Sequence, residues 1–323
     1  MAVYYDPDTW HLLKQPVTAL AVQVATVQAF VSTTKEQRKR YEGMQGDMFP
    51  ELEEDFNARL ELGKGMLEHY FQWAPTVDNF TPVKAEVEFE VPVFDPRFPP
   101  PRQPIQLFAS GLPIVYQGRI DTIVQDPEGH YWNLEHKTTS KFGDTSHLDL
   151  DEQITSYGWA LWSMGIVLKG AIYSEAYKAV PVPPQQLLHQ REGRWYSVNK
   201  QQSTTYDLTV KTLTQAHEDL ERYAEYLEYL RAQGNPYFRR FQQHRTTAEY
   251  QEVGARIGYE AIDMLQGPHI YANPGRFNCS FCRFREPCIA LNKGLDYQFM
   301  LDNLYVKREE GTNNSKSHEV TED

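Results

Sequence analysis

Cysteine is scarce in this chain. The 323 residues hold three, Cys279, Cys282 and Cys288. An odd, tightly clustered set excludes a disulfide framework and suggests metal binding in a reducing compartment. Long apolar runs are also missing, since a membrane span needs roughly 18 or more such residues. The best candidate, Val17 to Val31, is interrupted by Gln23 and Gln28 and reads as a packed helix. The N-terminus lacks the basic-then-apolar order of a signal peptide. A cytoplasmic protein without a membrane partner is therefore expected. Excess positive charge is absent too: 32 basic residues against 44 acidic ones give a net charge of −12. That argues against a general polyanion binder, yet a local basic groove and metal ions can still meet phosphates. Three basic clusters are candidates for such a groove or for ordinary solvated faces: Lys35, Arg38, Lys39 and Arg40; Arg239, Arg240 and Arg245; Arg283 and Arg285. No internal repeat occurs. No G-x-x-x-x-G-K-[ST] phosphate loop occurs either, so any unwinding of a duplex must come from a partner.

A hydrophobic share of 41% and an aromatic share of 13% suffice for a sizeable core. The length allows one large domain or two ordinary ones. Residues 1 to about 48 and Glu51 to Trp73 have helical spacing, although Gly63 and Gly65 each cost the second helix about 1 kcal/mol. From Val83 the period becomes two: Ala85, Val87, Phe89 and Val91 alternate with Glu86, Glu88 and Glu90, as in a half-buried strand. Further strands are expected at Ile105–Ala109, Ile114–Val124 and Tyr131–His136, in a mostly antiparallel meander. Leu148–Leu168 reads as a helix and Ala171–Tyr177 as an edge strand. Arg191–Lys200 reads as a small hairpin turning at Glu192-Gly193, and Tyr206–Gln233 and Thr246–Leu265 as long helices. The fold class is α/β, a central mixed sheet flanked by helices. One domain is expected over residues 1–307, with a core at about 60–178 and a helical, cysteine-bearing segment at about 206–295. The polar, acidic tail 308–323 is disordered by composition.

The chemistry concentrates between Gly118 and Tyr157. Asp121 ends one strand and Glu135 lies on its neighbour, so two carboxylates can converge as oxygen ligands for Mg²⁺ or Mn²⁺. Lys137, two residues on, projects to the same face as Glu135. The backbone carbonyl of His136, between them, offers a third oxygen. An ammonium there can orient an attacking water and offset charge in the transition state. Gln153 and Tyr157, one helical turn apart, can both face this site. Taken alone, the same three charges also suit a structural ion pair on a sheet face.

Together, G-x-I-D, (D/E)-x-K-T and Q-x-x-x-Y resemble the PD-(D/E)XK nuclease superfamily in its RecB-like and Cas4-like branch, as found in phage and bacterial exonucleases. The resemblance covers about residues 60 to 295. It implies a restriction-endonuclease-like core and a metal-dependent DNA nuclease of exonuclease type, acting on linear or single-stranded ends in recombination, replication or repair. DNA would be its substrate, with a helicase or single-strand annealing protein as possible partner. It also implies that the helical G-x-x-x-H motif, Gly65 to His69, supplies His69 to the metal, and that a strand carboxylate among Glu86, Glu88 and Glu90, with Glu88 preferred, joins it. The C-x₂-C-x₅-C of Cys279, Cys282 and Cys288 is similar to part of the iron–sulfur staple of Cas4-like nucleases, but the fourth cysteine is absent. A non-cysteine ligand such as His11, a Zn²⁺ site with a histidine or a metal-free remnant are the alternatives. Two rivals are a non-catalytic nucleic-acid-binding or assembly subunit that keeps the fold, and a structural metal-staple protein.

Overall fold

Alternating side chains build the sheet. In β1 (Thr81–Pro92), Val87, Phe89 and Val91 are buried while Glu86, Glu88 and Glu90 are exposed. The structure, a computed structural model, describes residues 1–45, 50–108, 110–266, 279 and 282–305, with side chains 40–52 excepted. β1 pairs antiparallel with β2 (Val115–Gln125), and β2 antiparallel with β3 (Tyr131–Thr139). The next strand, β4 (Leu168–Tyr177), runs parallel to β3. After a separate hairpin of β5 (Gln186–Arg191) and β6 (Arg194–Tyr196), β7 (Phe238–His244) closes the main sheet antiparallel to β4. The order is β1-β2-β3-β4-β7, the mixed sheet expected.

Two expectations about strands are corrected. β7 escapes the sequence reading, and its presence puts β4 inside the sheet, not at its edge. The segment expected as a strand from Ile105 is a loop through residue 108, with isolated bridges of Phe94 to Pro104 and Gln106 to Pro113 in place of a continuous ladder. Prolines at both bridges remove the backbone donors that a ladder needs.

Helices cover both faces. On one, α3 (Glu152–Ser163) lays Trp159, Ala160 and Leu161 against Val87, Phe89, Val91 and Ile120. α6 (Thr247–Gln266) joins this core through Tyr250, Val253 and Ile262. The approach is close: a Cβ on Gly158 would lie 2.2 Å from the Tyr250 ring, and one on Gly254 would lie 2.2 Å from the Trp159 indole. On the other face, Tyr4 and Tyr5 join Tyr70, Phe71 and Ala74 of α2 (Pro50–Val77) against Val124, Trp132, Leu134, Ile172 and Phe238.

The helix α1 (Pro16–Gln45) contributes Val22 to this second core. Gln23 and Gln28 do not interrupt it. By length and composition alone, Pro16–Lys39 would also suffice to cross a membrane.

Long expected helices are divided. Residues 146–150 form a 3₁₀ turn, and α3 starts only after Asp151, whose carboxylate accepts the Ile154 N–H at 3.0 Å. Tyr206–Gln233 divides into α4 (Tyr206–Gln215), a 3₁₀ turn at Leu220–Tyr223 and α5 (Ala224–Gln233). His217, at φ +55°, is in the left-handed region that interrupts helical geometry.

The chain forms two compact units, Met1–Leu265 and Gln266–Asp323. The second contains short helices at Arg285–Asn292 and Tyr297–Leu304. The acidic tail at 308–323 lies outside the described residues.

Candidate active site

Pleating of β3 sends Glu135 and Lys137 to one side of the sheet and His136 to the other. Lys137 Nζ lies 2.6 Å from Glu135 Oε1 and donates to Gln153 Oε1 at 2.9 Å. Gln153 Nε2 donates in turn to Tyr157 Oη at 3.2 Å and reaches Glu135 Oε1 at 3.4 Å. The start of α3 supplies both residues, held in place by the Asp151 cap. Asp121 joins from β2, where its Oδ2 accepts the backbone N–H of His136 at 3.1 Å. Asp121, Glu135, Lys137, Gln153 and Tyr157 are thus brought together.

Burial decides the electrostatics. Glu135 is 3% exposed, and desolvation holds its pKa above the usual carboxylate range, against the Lys137 ammonium and with the repulsion of Asp121. Two carboxylates that resist sharing one place as anions suit a hard cation with oxygen ligands. The donor set therefore fits Mg²⁺ or Mn²⁺, with the His136 carbonyl in the same stretch of backbone.

Behind β3 the surroundings are dry. The His136 ring is buried and stacks on Tyr5 at 5.4 Å, with Tyr70 edge-on at 6.3 Å. Its Nε2 has no hydrogen-bond partner among the described residues, and burial pulls its pKa down to about 3. Arg240 donates to Tyr70 Oη at 2.8 Å, to Tyr5 Oη at 3.1 Å and to Ser174 Oγ at 3.2 Å, and it pairs with Asp78. The sequence reading missed Tyr5, Tyr70 and Asp78.

Arg240 belonged to a basic cluster that was a candidate for a groove or a solvated face, and the structure corrects both alternatives. Arg245 is also buried, donating to Thr155 Oγ1 at 2.9 Å and to the Leu148 carbonyl. Arg239 pairs with Glu175.

The charges bearing on His69 are Glu68 and Lys211 of α4, and burial lowers its pKa. Gly65, one turn earlier, faces Val180, which a Cβ would approach to 2.7 Å. Among the described residues, His69, Asp121 and Glu135 are not a group whose ligand atoms lie within 4.8 Å of one another. Glu88 is exposed and pairs in register with Arg119. Of the three β1 glutamates, the one level with Asp121 is Glu86, bracketed by Ala85 opposite Thr122 and Val87 opposite Ile120.

A group that does meet the 4.8 Å limit is Asp126, Glu128 and His130, in the β2–β3 turn. There Asp126 already accepts the N–H groups of Glu128 (3.0 Å) and His130 (2.8 Å) and the Trp132 indole (2.9 Å). Lys169 Nζ sits 3.5 Å from Glu128.

Cys279 and Cys288 are partly buried and Cys282 is exposed; their ligand atoms form no such group among the described residues. With three thiols in the chain, a four-cysteine cluster set is incomplete. His11 is exposed, in the 3₁₀ turn Trp10–Lys14 of the first unit.

A family model for the PD-(D/E)XK nuclease superfamily matches residues 11–289. The chain belongs to that superfamily. No curated protein matches it. As a PD-(D/E)XK nuclease it is a phosphodiesterase hydrolase that uses divalent metal and binds DNA. The mixed sheet with helices on both faces is the fold of that superfamily.

Proposed function

We propose that the chain is an exonuclease of the RecB-like and Cas4-like branch, acting on linear or single-stranded DNA ends in cytoplasmic recombination, replication or repair. The bonded set of Glu135, Lys137, Gln153 and Tyr157, with Asp121 tied in through the His136 N–H, supports this reading above all. Asp121, Glu135 and the His136 carbonyl would hold Mg²⁺ or Mn²⁺. When bound, such an ion lowers the pKa of a water and polarises the phosphoryl oxygen. Lys137 orients the attacking water and offsets the charge that develops on the phosphate. Gln153 holds the Lys137 ammonium through its carbonyl and the Tyr157 hydroxyl through its amide, so that displacement of either bond by a phosphate oxygen keeps the donors aimed at the strand. A helicase or annealing protein would supply the ends.

The test is digestion of 5′- and 3′-labelled linear duplex, single-stranded and covalently closed circular DNA, with Mg²⁺, Mn²⁺ or EDTA. Metal-dependent mononucleotide release from linear DNA, with circles untouched and activity lost in Lys137→Ala, is expected. Nicking of circles would replace exonuclease with endonuclease. Binding without cleavage under every metal would leave a non-catalytic subunit of the same fold.

A further inference from the structure

The β5–β6 hairpin combines an unusual set of properties for a surface element. Its root is anchored, with Tyr196 packed against the small core of Leu213, Tyr223 and Leu227. Tyr223 Oη accepts the N–H groups of both Trp195 and Tyr196 at 3.1 Å, and Arg222 Nη1 donates to the Gly193 carbonyl at 2.7 Å. The turn residues Glu192 (φ +49°) and Gly193 (φ +77°) are both left-handed, as a two-residue connection matched to strand twist requires. Yet this braced element leaves Leu188 92% exposed and Trp195 43% exposed.

Charge and position narrow the occupant. Residues 178–200 carry Lys178, Arg191, Arg194 and Lys200 against Glu192 alone, which is 4 − 1 = +3 in a chain of −12. Arg194 pairs with Glu192, whereas Lys178 and Arg191 are in no ion pair among the described residues. The Lys178 N–H donates to the Thr139 carbonyl at 2.8 Å, so the segment leaves the sheet where β3 ends, two residues beyond Lys137. β3 and β4 run parallel, which brings both to one end of the sheet.

Resting on the DNA-cleaving reading above, we propose that this hairpin is a single-strand platform: a base stacks on Trp195 while Arg191 and Lys178 meet phosphates of the strand led to Lys137. An exposed aromatic face beside unpaired cations is what sequence-tolerant single-strand binding uses.

The test uses the full chain carrying Lys137→Ala, so that the probe survives, and fluorescein-labelled oligo-dT read by anisotropy at several salt concentrations. Adding Trp195→Ala is expected to weaken binding about tenfold. Adding Arg191→Ala is expected to flatten the slope of log affinity against log salt by about 0.7, one phosphate contact on a single strand. Both side chains are exposed, so neither change opens a core. If both variants match the parent in affinity and slope, the hairpin proposal is overturned and its apolar residues are left for a protein partner. If the parent itself binds no oligonucleotide, the single-strand part of that reading fails and takes the platform with it.

Discussion

The two sides of β3 are built on opposite principles, one residue apart. Toward α3, Glu135 and Lys137 meet Gln153 and Tyr157 in a chain of hydrogen bonds, and the Lys137 side chain remains 39% exposed. Toward α2, His136 is sealed against Tyr5 and Tyr70, with the Arg240–Asp78 pair behind them, 8% and 3% exposed. Side chains on the first side can exchange partners with a phosphate and with water. Those on the second cannot move without stranding buried charge. A reactive cluster in the middle of a strand needs such a backing, because the strand positions Glu135 and Lys137 only if His136 between them is fixed.

The largest expected effect lies on the dry side. Arg240→Ala leaves Asp78 buried without a counter-charge, and breaking such a pair costs about 3–5 kcal/mol. Urea unfolding should show this, and the double change Arg240→Met with Asp78→Leu should recover most of it. A loss below about 1 kcal/mol for the single change would mean that the pair does not brace β3. On the reactive side, Lys137→Ala is expected to lower kcat by roughly 10²–10³-fold, the scale for removing one group that stabilises transition-state charge. Its unfolding midpoint should fall less than that of Arg240→Ala, since the ammonium is partly solvated and the buried Glu135, left without it, can take up a proton. A large stability loss with modest loss of cleavage would reverse the assignment of the two sides.

The reactive side was the more legible in sequence. Asp121, Glu135, Lys137, Gln153 and Tyr157 lie in one stretch where strand and helix periods dictate who faces whom, and the structure brings all five together. β1 was equally readable, because alternation survives where one face is exposed, and β2 and β3 were readable as apolar runs bounded by turns. The backing was hidden because its members come from residues 5, 70, 78, 136 and 240, and no local period reports that Arg240 is buried. β7 was hidden for the same reason: Phe238–His244 reads as basic and polar, and ion pairing rather than apolar alternation makes it a strand of the core. His69 is a different case: its motif was recognisable, and the groups around it, Lys211 of α4 and Val180 at Gly65 one turn earlier, come from far along the chain.

The two sides should also respond oppositely to pH. The His136 ring is held neutral, with a pKa of about 3 instead of the ordinary value of 6.5. Unfolded chains take up that proton as pH falls below about 6.5, whereas the folded ring does not until near 3. Stability is thus fully present above the higher value and lost on acidification, by up to about 1.4 kcal/mol per pH unit. His136→Phe, which preserves the stack on Tyr5 and cannot take a proton, should flatten this acid limb in melts between pH 7 and pH 4. An acid limb as steep as in the parent would assign the sensitivity to other groups.

The smallest effect, and the one with the less intuitive sign, is at Glu135. Its carboxyl keeps a proton to higher pH folded than unfolded, because burial and Asp121 outweigh Lys137. Folded protein therefore binds more protons than unfolded protein between those two values, and stability declines as pH rises through that window. Above it, the ionised carboxylate is a standing cost that a bound cation would relieve. The Glu135→Gln side chain is neutral at every pH, so in EDTA this variant should unfold at higher temperature than the parent at pH 7, with the gap closing toward pH 4. Divalent metal should then narrow the gap at pH 7 by stabilising only the parent, and cleavage should vanish in the variant. A Glu135→Gln variant less stable than the parent at pH 7 in EDTA would show the reverse balance: the Lys137 pair would outweigh the desolvation of Glu135, and the carboxylate would be held for structure before chemistry.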